Sequence, residues 1–164
     1  LMVRKMKKIV FLGSASVGKT SLILSYKKGI LPNSPTIGVE IHNMKIHDLD
    51  LVVWDLSGQE KFRNMINNYL IGASIYVLVF DLAREDTFED IKSWINFIKN
   101  TAGEKSKIIL VGNKKDLGKK IPDDVIKNYL RENNSIVDYL ETSAKTGENV
   151  QKLFEKLTQL AKSL

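Results

Sequence analysis

The 164-residue sequence contains no cysteine and only three prolines. Without cysteine these 164 residues have no disulfide bond, no zinc site with thiolate ligands and no cysteine nucleophile. They also offer no cysteine for prenylation, so we expect either that a tail was removed or that any membrane contact is made by other means. No apolar run approaches the roughly 18 residues that a membrane span requires. The basic start, residues 2–8, leads into a short apolar run and does not resemble a signal peptide. We therefore expect a cytoplasmic protein, with peripheral membrane contact as an open alternative.

Acidic residues are fewer than basic ones, and the formal net charge is +6. Four of the positive charges, Arg4, Lys5, Lys7 and Lys8, lie close together near the start of the chain. We expect a solvated arm there, and the alternative is weak attraction to an acidic membrane or protein surface. Nucleic-acid binding is not expected, because the other lysines are scattered and no basic patch with interleaved aromatic residues occurs.

Hydrophobic residues make up 43% of the sequence, which is enough for one sizeable core at this length. We expect a single domain over residues 1–164, with its core at about 8–162, and a monomer. Apolar, β-branched segments alternate with segments of helical periodicity. The predicted strands are residues 8–13, 51–55, 75–81, 107–113 and 136–141. The predicted helices are residues 18–28, 60–69, 86–100, 122–132 and 147–162.

This alternation predicts an α/β fold with a mostly parallel sheet and helices on both faces. Residues 39–46 add a sixth strand, in which apolar and polar residues alternate. The connection from this strand to the one at 51–55 is too short for a crossover, so the two strands should form a hairpin. The sheet is therefore expected to have six strands, with one antiparallel strand at its edge.

The segment GSASVGKTS follows the first predicted strand, and seven of its nine residues are small. The spacing Gly13-x-x-x-x-Gly18-Lys19-Thr20 is that of a phosphate-binding loop, whose backbone N–H groups curl around one anion ahead of a helix. Lys19 can reach the terminal phosphates, and the Thr20 hydroxyl can ligate Mg²⁺. A glycine-rich turn without a ligand is the alternative. The predicted phosphate-binding residues are Gly13, Ser14, Ser16, Val17, Gly18, Lys19, Thr20 and Ser21.

The predicted strand at 107–113 leads into Asn113-Lys114-Lys115-Asp116. A carboxylate at Asp116 can accept two hydrogen bonds from guanine, a pair that adenine does not offer. Asn113 can bridge the base and neighbouring loops, and the stem of Lys114 can lie over the ring. Later, Ser143-Ala144-Lys145 could bring a backbone N–H to the guanine carbonyl oxygen, although Ser143 could equally be a helix N-cap. A solvated turn is the alternative for the first of these motifs.

The segments GSASVGKTS, TIGVE, WDLSGQE, NKKD and ETSAK together resemble the Ras-like small GTPases, and the chain looks most similar to the Rab group. The resemblance implies a P-loop small G-protein fold that binds GTP or GDP with Mg²⁺. It implies that Asp55 and Thr36 hold the metal together with Thr20, and that Gly58 and Thr36 contact the γ-phosphate. It also implies that Gln59 orients the attacking water and that Lys19, Thr36 and Gln59 support hydrolysis.

Two segments, residues 28–39 and 58–69, are implied by the resemblance to close when the third phosphate is present. Effectors, exchange factors and GTPase-activating proteins are expected to bind these segments. An external activating protein is expected because no internal arginine finger stands out, Arg63 included. The two histidines, His42 and His47, are expected to be surface residues without a base or metal partner.

Several positions depart from the family pattern. Ala15 stands where many members have glycine, and its methyl group could crowd an incoming arginine. Leu56-Ser57 replaces the usual Thr-Ala, and residues 29–31 offer no aromatic ring to stack on guanine. The loop from Lys19 to Thr36 is about two residues shorter than usual for the family. Ala15 and the shortened loop favour an alternative function, a scaffold module that binds GTP without hydrolysing it, whereas Gln59 and Thr36 oppose that alternative.

Overall fold

A computed structural model describes residues 6–28, 38–59 and 62–164 of the chain. Within these residues, six strands form one sheet in the order β2-β3-β1-β4-β5-β6. The strands are β1 (Met6–Leu12), β2 (Val39–Ile46), β3 (Leu49–Leu56), β4 (Ile75–Asp81), β5 (Ile108–Asn113) and β6 (Ile136–Glu141).

The strand directions agree with the sequence-based expectation. β1 pairs in parallel with β3 and β4, and the parallel arrangement continues through β5 to β6. β2 pairs antiparallel with β3 in a hairpin whose last pair is Ile46 with Leu49. Strand order reverses at β1, because the chain continues to β3 on one side of it and to β4 on the other. In open α/β sheets, ligands bind at the carboxyl end of such a strand.

Helices cover both faces of the sheet. They are α1 (Lys19–Lys28), α2 (Arg63–Ile66), α3 (Glu85–Glu89), α4 (Ile91–Ala102), α5 (Asp123–Glu132) and α6 (Val150–Lys162). One core contains apolar side chains of α1 and α6 packed on β1, β3, β4 and β5. The other contains side chains of α2, α4 and α5. β4 and β5, in which every residue is buried, therefore bury both of their faces, as the continuous apolar runs predicted. None of the helices in the described segments is long and apolar enough to cross a membrane.

Three predicted helices were wrong in their extent. The predicted helix at 147–162 begins only at Val150, because Gly147 (φ +85°) and Asn149 (φ +60°) adopt left-handed backbone conformations that an α-helix does not contain. The predicted helix at 86–100 is divided into α3 and α4 at Asp90. The predicted helix at 60–69 reduces, where it is described, to one turn of α2 and the 3₁₀ turn Asn67–Tyr69.

Candidate functional site

The predicted site residues that the structure describes lie at the carboxyl edge of the sheet. Four connections meet there, after β1, β3, β5 and β6. Because parallel strands deliver their carboxyl ends to one edge, motifs far apart in sequence converge at this crevice. Thr36 was also expected here, but it lies outside the described residues.

The connection from β1 to α1 needs its glycines for space and for backbone conformation. Gly13 and Gly18 have φ values of +144° and +98°. A Cβ on Gly13 would lie 2.2 Å from the carbonyl oxygen of Val79, and one on Gly18 would lie 2.3 Å from Nδ2 of Asn113. Side chains at either position would therefore collide with neighbouring strands and loops. The Leu22 amide then donates to the carbonyl oxygen of Gly18 at 2.9 Å, which closes the first turn of α1.

Lys19 is the first residue of α1 and is only 6% exposed. Its Nζ donates to the carbonyl oxygens of Gly13 and Ser14, both at 3.1 Å, so the ammonium lies inside the curve of the loop. Burial lowers the pKa of Lys19 to about 8, and the nearby Asp55 carboxylate opposes that shift. A buried cation within a ring of backbone groups is suited to bind an anion.

The next residue, Thr20, donates its hydroxyl hydrogen bond to Oδ2 of Asp55, which is fully buried at the end of β3. A hydroxyl and a carboxylate oxygen beside a phosphate-binding loop are the donors that Mg²⁺ takes in proteins. The residues present at this position therefore fit a magnesium ion.

The side chain of Ser14 faces the helices rather than the concave side of the loop. Its hydroxyl donates to Oδ2 of Asp90 at 2.8 Å and lies 3.4 Å from Nε1 of Trp94, which donates to it. Arg84 also reaches the loop, where its guanidinium donates to the carbonyl oxygen of Ala15 at 3.2 Å. In this arrangement the hydroxyl of Ser14 is engaged elsewhere, so Ser14 can bind an anion only through its backbone N–H. These contacts with α4 and α3 were not foreseen, since no local sequence pattern links residues so far apart.

Gly58, just after β3, lies directly against the phosphate-binding loop. A Cβ on Gly58 would lie 2.3 Å from the carbonyl oxygen of Gly13 and 2.5 Å from the carbonyl carbon of Ser14. The amide of the neighbouring Gln59 donates to the hydroxyl of Ser57 at 3.3 Å. The segment that carries Gln59 is therefore held at the mouth of the loop by backbone contacts that leave no room for a side chain at position 58.

Asn113 joins three connections at the other end of the crevice. It is 1% exposed, and its Nδ2 donates to the carbonyl oxygen of Val17 at 3.0 Å. Its Oδ1 accepts from the hydroxyl of Thr142 at 3.0 Å and from the amide of Ala144 at 3.2 Å. Asn113 thus bridges neighbouring loops, whereas its expected contact with a base stays a prediction. Thr142 had been given no role, although it lies in the quoted ETSAK segment.

Asp116 is exposed, and its Oδ1 accepts a 2.7 Å hydrogen bond from the hydroxyl of Ser143. The same hydroxyl accepts from the amide of Thr146 at 3.1 Å, so Ser143 caps a turn. The alternative of Ser143 as a helix N-cap was wrong, because the N-cap of α6 is Asn149. Ser143 instead orients the carboxylate of Asp116.

A cavity of about 210 Å³ lies between these two ends of the crevice. Its lining brings together the phosphate-binding loop and both later motifs: Gly18, Ser21, Asn113, Lys114, Asp116, Leu117, Ala144 and Lys145. Lys114 crosses from one end to the other, with its Nζ 2.6 Å from the carbonyl oxygen of Ser16 and 3.3 Å from Oδ2 of the buried Asp81. The sequence had not identified Asp81 as the partner of Lys114.

The two histidines differ in their surroundings. His47 is exposed at the tip of the β2–β3 hairpin, as expected. For His42 the expectation of a surface residue was wrong, because its side chain is only 11% exposed, and its Nε2 lies 3.7 Å from Oε2 of Glu40. Its Nδ1 lies 3.4 Å from Nζ of Lys27. The register of the hairpin places Glu40 opposite Asp55, and this brings His42 to the same face.

Comparison with known proteins identifies the family of the chain. A model of the Ras family matches residues 8–163. The chain belongs to the Ras family. Over 157 residues it is 38% identical to the Ras-related protein Rab-5B of Plasmodium falciparum, covering 92% of this chain and 75% of the relative. Two proteins of Dictyostelium discoideum are similar: Rab-2B is 36% identical over 160 residues (93% and 78% covered), and RabJ is 37% identical over 155 residues (90% and 60% covered).

Members of the Ras family are small GTPases with a P-loop fold, and they bind GTP and GDP together with Mg²⁺. This Ras-family chain is most similar to Rab proteins, as its motifs indicated. Guanine-nucleotide binding and interaction with regulators and effectors follow from membership in the family. Membership favours a hydrolytic switch over a non-hydrolysing scaffold. The chain spans less than two thirds of RabJ, because the aligned part is 60% of that protein.

Proposed function

We propose that this protein is a Rab-like switch in membrane traffic that binds GTP, hydrolyses it slowly and returns to the GDP-bound form. The observation that carries the proposal is the position of Asn113, which hydrogen-bonds the phosphate-binding loop at Val17 and the last motif at Ala144. A nucleotide of fixed length can then be read at both ends, with its phosphates at Lys19 and its base at Asp116.

In this proposal the phosphate end is bound by backbone N–H groups of residues 13–18, by Lys19, and by Thr20 and Ser21 at the start of α1. Lys19 already lies inside the loop, 3.1 Å from two of its carbonyl oxygens, so its ammonium needs little movement to reach an anion. The base end is read by Asp116, which Ser143 holds in place, and by Asn113, Lys114, Ala144 and Lys145. The stem of Lys114 runs along the cavity and offers a face for the ring.

Thr20 and Asp55 would hold Mg²⁺, together with Thr36. The metal supplies charge neutralisation to the phosphates when it is bound. Asp55 is fully buried, and its hydrogen bond with Thr20 fixes both side chains at the first turn of α1. Binding of a divalent ion would therefore require the hydroxyl of Thr20 to turn its lone pairs, rather than its hydrogen, toward the site.

Hydrolysis depends in this proposal on Gln59, which would orient the attacking water, and on Gly58, whose amide would contact the γ-phosphate. Gly58 is placed against the phosphate-binding loop by its lack of a side chain. Arg63 has another role, because its guanidinium lies 4.1 Å from the ring centre of Trp94. We therefore expect an activating protein to supply an arginine, and the methyl group of Ala15 to limit how closely it approaches.

Partners would bind residues 28–39 and 58–69, the two segments that the resemblance implies to close when the third phosphate is present; residues 29–37 and 60–61 of them lie outside the described residues. We further propose that residues 1–164 form a single GTP-binding domain, that it is monomeric and that it acts in the cytoplasm at membrane surfaces. A role in membrane traffic is supported by the similarity to Rab proteins along at least 90% of the chain.

Two measurements test the function. Phosphate release in single-turnover assays with GTP should proceed in the wild type on the order of 10⁻⁴ to 10⁻³ s⁻¹, the range of unaided Ras, and Gln59→Leu should abolish it. If neither protein releases phosphate over hours, hydrolytic switching is refuted.

Calorimetric titration with GDP and ADP tests the base assignment. Asp116→Ala should remove the preference for GDP, whereas Asp124→Ala, at an exposed position on α5, should keep it. Equal wild-type affinities for GDP and ADP would contradict the assignment.

A further inference from the structure

Three metal-ligating side chains lie together on the β2–β3 hairpin, beside the crevice. Oxygen and nitrogen atoms of Glu40, His42 and Asp55 are all within 4.8 Å of one another. Among the described residues this is a group that joins an imidazole to two carboxylates, and neither Glu40 nor His42 has a role in the proposed GTPase function. We propose that these three side chains form a binding site for Zn²⁺ that competes with the magnesium and nucleotide site for Asp55.

The hairpin register creates the cluster. Glu40 and Asp55 are paired residues of β2 and β3, so their side chains leave the same face of the sheet. His42 follows Glu40 by two positions and therefore lies on that face as well. Like charges at directly opposite positions repel. A divalent cation between Glu40 and Asp55 removes this repulsion, so the hairpin favours an occupant with positive charge.

The chemistry of the three side chains selects the metal. Imidazole nitrogen is a ligand suited to Zn²⁺, Cu²⁺ and Ni²⁺, whereas Mg²⁺ and Ca²⁺ prefer oxygen ligands only. One histidine and two carboxylates, with a water in the fourth position, match the donor number of an open zinc site. Zinc holds such ligands at about 2.0–2.2 Å, so they lie roughly 3–4 Å apart. The ligand atoms of this group lie within 4.8 Å of one another, and Nε2 of His42 is already 3.7 Å from Oε2 of Glu40, so the group is close to that spacing.

The three side chains differ in their exposure to solvent. The side chain of Glu40 is 51% exposed, that of His42 is 11% exposed, and Asp55 is fully buried. Zinc can therefore enter from solvent along Glu40 and reach Asp55 last. Lys27 lies 3.4 Å from Nδ1 of His42, on the side of the ring away from Glu40, and its exposed side chain can turn into solvent when a cation binds.

Sharing of Asp55 has a functional consequence, which rests on the proposed function. Asp55 now accepts the hydrogen bond of Thr20 at the predicted magnesium site. If zinc draws the carboxylate toward His42, the magnesium ion loses a partner, and GDP is held less tightly. By linkage, magnesium and GDP weaken zinc binding by the same factor. Zinc is therefore expected to speed the release of GDP.

Competition with a fluorescent zinc chelator tests the site on the full chain loaded with Mg²⁺ and GDP. The wild type should bind one Zn²⁺ per chain, and His42→Gln should bind it at least about 10-fold more weakly, since a ligand is lost. Glu40→Gln should weaken binding in the same direction. His47→Gln, which changes the exposed histidine of the same hairpin, is the matched control and should bind like the wild type. Circular dichroism establishes that each variant is folded.

An unchanged zinc affinity in His42→Gln, or an equal loss of zinc affinity in His47→Gln, would overturn the proposed site.

A second measurement follows the release of a fluorescent GDP analogue with and without Zn²⁺. Zinc should speed release from the wild type and from His47→Gln but not from His42→Gln. Equal acceleration in His42→Gln would show that zinc acts elsewhere and refute the competition. If no guanine nucleotide binds at all, the proposed function fails, while the chelator measurement on the nucleotide-free chain still decides the zinc site.

Discussion

At the scale of single residues, the clearest consequence of the fold is the buried ammonium of Lys19. The loop that prepares an anion site also removes this group from water, and the resulting desolvation lowers its pKa to about 8. In the unfolded chain the pKa returns to its ordinary value near 10.5. At neutral pH the charged Lys19 therefore destabilises the nucleotide-free protein, and we expect a bound phosphate to offset this effect.

This cost predicts a pH-dependent effect of Lys19→Met. Between about pH 8 and 10.5 the unfolded chain binds a proton at Lys19 that the folded chain does not, so stability rises with pH in that window. The difference between the folded and unfolded pKa values of Lys19 corresponds to roughly 3 kcal/mol. After removal of nucleotide, Lys19→Met should stabilise the protein more at pH 7 than at pH 10.5, by about that amount. Urea unfolding of both proteins measures it, and an equal difference at the two pH values would contradict the prediction.

At the scale of secondary-structure elements, α2 depends on α4 for its position. α2 has four residues, too few to be stable by itself. Arg63 at its start lies over the ring of Trp94, 4.1 Å from the ring centre, and donates to the hydroxyl of Ser93 at 3.3 Å. Trp94 in turn donates to Ser14 in the phosphate-binding loop. One side chain of α4 thus contacts both the loop and the segment that follows Gln59.

A double-mutant cycle measures this contact between elements. Arg63→Ala and Trp94→Leu should each lower the free energy of unfolding, and the combined variant should lose less than the sum. The expected coupling energy is about 0.5–2 kcal/mol, the range for a cation over an aromatic face. Lys92→Ala, at an exposed position of the same helix, provides the control and should show no coupling with Arg63→Ala. Additive losses for Arg63 and Trp94 would mean that the stacking does not hold α2.

At the scale of the whole molecule, the two ends of the site are fixed in different ways. Asn113 is buried and joins the connections after β1, β5 and β6 through three hydrogen bonds. Asp116 is exposed and is held by the hydroxyl of Ser143. Removal of the first side chain leaves several buried polar groups without that partner. Removal of the second affects one buried group, the hydroxyl of Ser143, which still accepts from the amide of Thr146.

Asn113→Ala should accordingly destabilise the nucleotide-free protein, by about 2–4 kcal/mol, because several buried donors and acceptors lose their partner. Asp116→Ala should cost less, about 1 kcal/mol, because only the hydroxyl of Ser143 loses a partner, and it should still abolish the preference for guanine. Denaturant unfolding of the two variants beside the wild type makes the comparison. Similar losses for both variants would show that Asn113 does not join the fold in the way described.

The sequence by itself determined the strands, their directions and the family. Continuous apolar runs mark strands buried on both faces, and the short connection after Ile46 leaves no alternative to a hairpin. The phosphate-binding loop was predictable for a local reason, since spacing and small residues decide the backbone path between β1 and α1. The roles given to Thr36, Gln59 and the other site residues stay predictions.

What the tertiary structure alone decided are contacts between residues distant in sequence. The pairing of Lys114 with Asp81, of Ser14 with Asp90, and of Ser143 with Asp116 joins separate elements. The approach of His42 to Asp55 depends on hairpin register, which a one-residue slip would undo. Local patterns record which face of an element is buried. They do not show which element packs against that face, because this depends on the spatial order of the strands in the sheet.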